Sequence, residues 1–562
     1  MWRLTFLLLC LAPMKSGPFS SPRPVNPGLL GCGPPESPAI RPAGDGRYAP
    51  VFPGWGHHHY QVSTKVDSAQ FYFDQGLSLY YSFHLTEAEA SFREAAIKDS
   101  RCAMAYWGVA LAMGPYYNSA YTYRMPAGVL PVLAKMNELA ATASAKEKDL
   151  IAALNHRYSE DENDSRRLRL NAAWTQAVKA LMSKYPDDDD IKALYIDGAM
   201  TEHAWDLWDP QGRPKPWTPE LVGICERILA SDPDQPAALH YHIHLLEASL
   251  HPEATLSSAD RLKELMPGVA HMVHMASHTY QRTGRYEKGV TVNDAATAAQ
   301  ANYSGLAPQL HLQPTVIHYD AVEAFCAMNG GMYARAMASA VRCRSAILSR
   351  PGIQNANAQY LSMMPVFVQA RLGKWQAILD QQPPDRSWVF ASLLDDFARG
   401  LAYVRTGRQP AAMDCLDSLR SKIGDPFLAT RNPPSNVPAQ VAAVAADLLA
   451  GEILYAAGKS HEALAMLHRA IDEEDALTYL EPKDWPLPAR HFAGACLLQA
   501  GRAAEAEKLY REDLVLNPGN GWSLLGLAHC LEAERKSGAA EWLARAKAAF
   551  SSAEVLPPGS AY

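Results

Sequence analysis

The chain contains no Cys-x-x-Cys pair, so neither a zinc ribbon nor a thioredoxin-type redox motif is present. It has no Gly-x-x-x-x-Gly-Lys loop, no Gly-x-Gly-x-x-Gly after a strand and no Gly-x-Ser-x-Gly elbow. Nucleotide-binding and α/β-hydrolase chemistry fall away with them. The His-Glu-x-x-His signature of zinc proteases is missing too. Lys and Arg form no block, and the formal net charge is a mild −7 with histidine neutral. A nucleic-acid partner is therefore not expected. No long stretch alternates apolar and polar residues, which argues against β-strands. No transmembrane segment is expected: the apolar run at residues 4–12 is far too short to span a bilayer.

What remains is an ordinary folded composition, with 48% of the 562 residues hydrophobic and 20% charged. Met1-Trp2-Arg3 and the apolar run behind it have the charge-then-hydrophobe order of a secretory signal, expected over residues 1–17. That order implies entry to the secretory pathway, although Pro13 directly after Cys10-Leu11-Ala12 leaves the cut site open. Asn163-Asp164-Ser165 and Asn302-Tyr303-Ser304 are N-glycan acceptor triplets, and two in a chain this long decide nothing. Residues 18–56 are rich in proline and glycine and read as a leader or linker. Of the nine cysteines, Cys102, Cys326, Cys343, Cys496 and Cys530 sit among Ala, Leu and Phe, as packed free thiols do.

Residues 57–555 read as one helical body. From Ala69 to Gly108 apolar residues recur at steps of three and four, and Gly76, Ala88 and Ala95 permit close helix approach. Gly284, Gly407, Gly458 and Gly501 each sit between two helical patterns, where a left-handed residue reverses the chain. The expected fold class is all-α, a tetratricopeptide-like α-α superhelix of stacked antiparallel helix pairs. Such an array lets a single domain run this long.

Its centre is rich in histidine. His240 and His274 are 34 residues apart, as are His244 and His278, and that is the length of one tetratricopeptide helix pair. Stacked units would set these imidazoles side by side across a shared groove. On the first helix His240, His244, Glu247 and His251 share a stripe while His242 points away. On the second, His271, His274 and His278 share another, with Met275 beside them. Neutral imidazoles are donors for Cu, Zn, Fe and Ni. His240, His244, His271, His274 and His278 are thus candidate metal ligands, and Glu247 a candidate ligand or general base. Copper is favoured by the all-imidazole set and its soft neighbour Met275; zinc and iron stay open, and zinc with Glu247 as base would imply hydrolysis. His57, His58 and His59 fit a surface turn better than a ligand role, and His203, His311 and His318 are weaker candidates.

Phe73-Asp74-Gln75-Gly76-Leu77, Ala103-Met104-Ala105-Tyr106-Trp107-Gly108, Trp205-Asp206-Leu207-Trp208, the stretch from His271 to Tyr286, and Asn520-Gly521-Trp522 with the residues after it resemble a group of tetratricopeptide repeat proteins. That group is widespread in bacteria, largely uncharacterised, and carries a similar histidine-rich centre. The chain departs from its pattern at Ala276, where proline is usual, and at His318-Tyr319-Asp320, which lacks the expected His-Asn pairing. The leading expectation is a secreted solenoid whose histidine-lined metal site oxidises a small molecule. The alternative is a non-catalytic scaffold holding a peptide or partner protein in its concave groove. A third is a protein that stores a metal or holds it for structure.

Overall fold

The structure is a computed structural model describing residues 40–562 apart from 127, 162–163, 351–354 and 432–433. The expected signal at 1–17, most of the expected linker and Asn163 lie outside the described residues. Those residues form 25 α-helices and no strand. Consecutive helices pack as pairs: Asp67–Tyr81 on Leu85–Lys98, Ala270–Arg282 on Tyr286–Leu306, Pro438–Ala456 on Ser460–Asp475. The molecule is a tetratricopeptide-like α-solenoid.

Its turns come from local backbone chemistry. Gly284, Gly407, Gly458 and Gly501 have φ of 71°, 73°, 77° and 75°, a region that a Cβ penalises. Across each glycine the next N–H bonds back to the helix, as from Arg285 to Tyr280 O (2.9 Å), Arg408 to Tyr403 O (2.8 Å), Lys459 to Leu454 O (3.0 Å) and Arg502 to Leu497 O (2.9 Å). Each such bond satisfies a carbonyl that the helix end leaves free.

The structure revises the expected leader. Residues 40–66 form no helix until Asp67, yet Ala49 and Phe52 are buried. The strap is tied at Phe52 N to Gln75 Oε1 (2.9 Å), at Pro53 O by Tyr303 (2.9 Å) and at Gly54 O by Gly268 N (3.1 Å). Proline suppresses helix here, and the side chains of Gln75 and Tyr303 and the backbone of Gly268 satisfy the freed backbone groups instead. One helix, Pro438–Ala456, is long and apolar enough to cross a membrane by length and composition. It carries buried Asp447 and Glu452, which pair with Arg469 and Arg405 (2.8 and 2.5 Å), as a core helix does.

Winding of the array brings distant repeats together near the histidines. The turn at Gly284 lies against backbone of Gly519, and Trp522 Nε1 donates to Asn329 O at 2.9 Å. A Cβ on Gly284 would meet Gly519 O at 2.0 Å. Gly284→Ala therefore combines a left-handed alanine with a backbone clash, and we expect it to lower stability by about 2–4 kcal/mol. Urea denaturation checks this, and a loss below ~0.5 kcal/mol would show that the contact between the two turns is loose.

Candidate metal centre

Three helices carry the site. Pro236–Leu246 starts with proline at its first position and with Gln235 capping Ala238 N at 2.8 Å. Ala270–Arg282 and Ile317–Asn329 open two later pairs. His240, His244, His271, His274, His278 and His318 are all buried, as is Glu247. Their ligand atoms fall into three sets, each within 4.8 Å: His240–His244–His271, His274–His278–His318, and His244–Glu247–His278. Two three-histidine sets thus lie side by side, with Glu247 between them.

Hydrogen bonds fix which nitrogens are bare. The Tyr81 carbonyl can only accept, so His240 Nδ1 donates to it at 2.7 Å and Nε2 keeps its lone pair. Asn293 donates its amide to Gly289 O, which leaves Oδ1 to accept from His274 Nδ1 at 2.6 Å. His274 Nε2 is then bare as well. Glu247 accepts from His244 Nδ1 (3.1 Å) and from His278 Nδ1 (2.8 Å), and His278 Nδ1 also meets Glu481. Four of the six rings are therefore oriented through Nδ1, the arrangement that turns metal-binding imidazoles toward an ion. His240 Nε2 faces His271 Nε2 at 3.1 Å, and His274 Nε2 faces His278 Nε2 at 2.9 Å. His244 Nε2, His271 Nδ1 and His318 Nδ1 are buried with no partner.

Burial, then neighbouring histidines, pushes His240, His271 and His274 well below the usual imidazole range and takes His244 and His318 down to about 3. His278 is the exception. Burial alone would lower it, but the Glu481 charge and the bonds to Glu247 and Glu481 push it up to about 10. Burial raises both glutamates. Aromatic rings close the site: Phe83 lies 4.5 Å from His240, Tyr117 5.0 Å from His244 and Tyr319 4.4 Å from His274, centroid to centroid. Phe83 holds φ at 57°, a strained value for a non-glycine residue.

The grouping differs from one ion shared by His240, His244, His274 and His278. His271 completes the first set and His318, set aside on sequence, completes the second. His318 is the second residue of its helix, as His271 is of its own, so position within the helix was the available signal. Glu481 comes from a non-helical segment with no such signal. His251 leaves the expected stripe because its helix ends at Leu246; it is exposed and bonds Glu253. His242 bonds Ser258, His58 Asp190, His59 Asp74, and His203 stacks on Trp217. His311 lies in a left-handed turn.

No protein-family model matches the chain, and no curated protein does. Solved structures that align with it include a human IFIT1 dimer with m7Gppp-AAAA, at 14% identity and TM-score 0.35 over 75% of this chain and 85% of that one. Yeast Tom70 aligns at 11% identity and TM-score 0.28 over 84% and 89% of the two chains. The P58(IPK) TPR domain aligns at 12% and 0.22 over 83% and 98%. Likenesses this distant say nothing about what this chain binds.

The histidines impose a two-sided pH dependence on chelator-treated protein. The five depressed rings contribute stability that is present above pH ~6.5 and lost as pH falls through their folded values; His278 contributes stability that is full below ~6.5 and lost as pH rises toward 10. The urea midpoint is expected to peak near neutrality, and His278→Gln to remove the alkaline fall only. A flat profile between pH 4 and 10 would refute this charge assignment.

Proposed function

We propose that this solenoid houses a dinuclear transition-metal centre, with His240, His244 and His271 serving one ion and His274, His278 and His318 the other. The observation that carries it is the pair of Nε2-to-Nε2 contacts at 3.1 and 2.9 Å, in each of which one nitrogen is bare, beside buried ring nitrogens with no partner. Neutral imidazoles oriented through Nδ1 are what a metal requires. Three imidazoles per ion leave positions open, as catalytic sites do.

Copper suits the donor set best. Imidazole suits Cu, Zn, Fe and Ni alike, and what separates them here is Glu247, both of whose oxygens are taken up in orienting His244 and His278. A hydrolytic zinc site would need Glu247 free as a base, so its place here is as an orienting group or a ligand. Copper when bound supplies one-electron and dioxygen chemistry, and the function that follows is oxidation of a small molecule. The chain's own residues would hold the ions, keep His240, His244, His271, His274 and His318 neutral and exclude water with Phe83, Tyr117 and Tyr319, while His278, held as an imidazolium by Glu247 and Glu481, would give up a proton on binding.

The second reading is a scaffold for a peptide or partner protein, which the repeat architecture itself favours. The protein's own segments fill part of the space between repeats: Ser560 Oγ donates to His491 O at 2.8 Å, Tyr562 packs on Gly373, and Glu481 reaches His278.

Elemental analysis separates the two. The purified protein is expected to carry two copper ions per chain, and His274→Ala/His318→Ala, confirmed folded by circular dichroism, to carry one. Asn293→Ala removes only the bond that orients His274, and it should weaken metal affinity about 10- to 100-fold. A folded chain that takes up no copper, zinc or iron after reconstitution is a scaffold.

A further inference from the structure

Arg282 continues the histidine face of its helix, one turn beyond His278. Its guanidinium donates to the carbonyls of Glu247, Ser249 and Leu516, the last two at 3.0 Å, while its Nε is buried without a partner. Lys483, in the segment that also carries Glu481, donates from Nζ to Asn517 Oδ1 at 2.6 Å. Arg282 also lies over the Tyr479 ring, 4.8 Å from its centroid. Glu247 acts electrostatically on Arg282, and Glu474, Asp475 and Asp513 on Lys483, all from outside the inner cavity.

Arg282 and Lys483 both line this inner cavity of about 20 Å³, walled by Tyr286, Phe325, Tyr479 and Trp485 and by the amides of Gln281 and Asn517. No carboxylate lines it. The volume holds one small polar group. It adjoins an outer cavity of about 90 Å³ that shares Arg282, Tyr479, Lys483 and Trp485 with it. The outer cavity does carry carboxylates, and each is engaged: Asp209 by Arg213, Glu474 by Ala489 N, Asp475 by Arg490, Asp484 by Asn436 and Asp513 by Ser523. The inner cavity also abuts the histidines, because Gln281 (3.4 Å) and Tyr479 both donate to Glu481, which meets His278.

We propose that the inner cavity binds the carboxylate of a small organic acid between Arg282 and Lys483, with the acid's body in the outer cavity against Tyr479 and Trp485. Charge-assisted bonds from two cations in a largely buried site select an anion over its neutral isostere. The ring walls favour a flat or aromatic body. Service as the substrate pocket rests on the metal-centre reading, whereas binding of the acid does not.

Calorimetric titration of the full-length protein with benzoate, and in parallel with neutral benzamide, tests this. One benzoate per chain is expected, with benzamide at least about tenfold weaker. Lys483→Met should lose benzoate affinity about tenfold and Lys483→Arg should keep it, with metal content unchanged in both. Absence of benzoate binding, equal affinity for benzamide, or full affinity in folded Lys483→Met overturns the proposal. The benzoate–benzamide contrast needs no variant and decides the matter if Lys483→Met fails to fold. Benzoate binding by a chain that holds no metal supports the acid site while overturning the metal reading.

Discussion

Two pairs of imidazoles meet Nε2 to Nε2, and in each pair one ring has already given its only N–H elsewhere. His240 and His274 have each given their one N–H to an acceptor-only oxygen, of Tyr81 and Asn293, and each turns its remaining lone pair on another histidine. Leaving such atoms unpaired in a dry interior costs about 1–3 kcal/mol apiece. His271 can donate to His240 only by orphaning its own Nδ1, and His278 can donate to His274 only as an imidazolium between two glutamates. A bound cation removes the conflict, because every bare lone pair becomes a ligand. Protein–metal binding on the scale of about 10–16 kcal/mol, as in structural zinc sites, would outweigh the cost of assembling the cluster.

The winding of the solenoid is what assembles it. Helix pairs near the middle of the chain supply the imidazoles, but Glu481 and Lys483 arrive from about 200 residues further along, carried by the contact between the Gly284 turn and Gly519. Arg282 sits at that junction, holding the carbonyls of Glu247 and Leu516 together. The same closure that brings Glu481 to His278 thus also shapes the cavity beside it. A bare solenoid groove would leave these histidines open to water.

Much of this was legible in the chain, and what was not has physical reasons. Glycine turns and three-and-four periodicity are local, so the helix pairs could be read directly. The stripe of His240, His244, His271, His274 and His278 was readable because two adjacent units keep the 34-residue step. His318 was hidden because the helix between, Tyr286–Leu306, runs to 21 residues and stretches the next step, from His271 to His318, to 47. His251 misled because residue spacing does not mark where a helix ends. Glu481 and the strap at residues 40–66 depend on tertiary contacts between segments far apart, for which spacing carries no signal. The division into two histidine sets depends on side-chain directions that only the assembled helices define.

The most direct test of the central claim is a crystal structure of the protein as isolated, with anomalous data collected on both sides of the copper absorption edge. Two anomalous peaks are predicted, one among His240, His244 and His271 and one among His274, His278 and His318, with Glu247 between them. Ordered waters bridging these imidazoles, with no anomalous peak in crystals grown with added copper, would contradict the account.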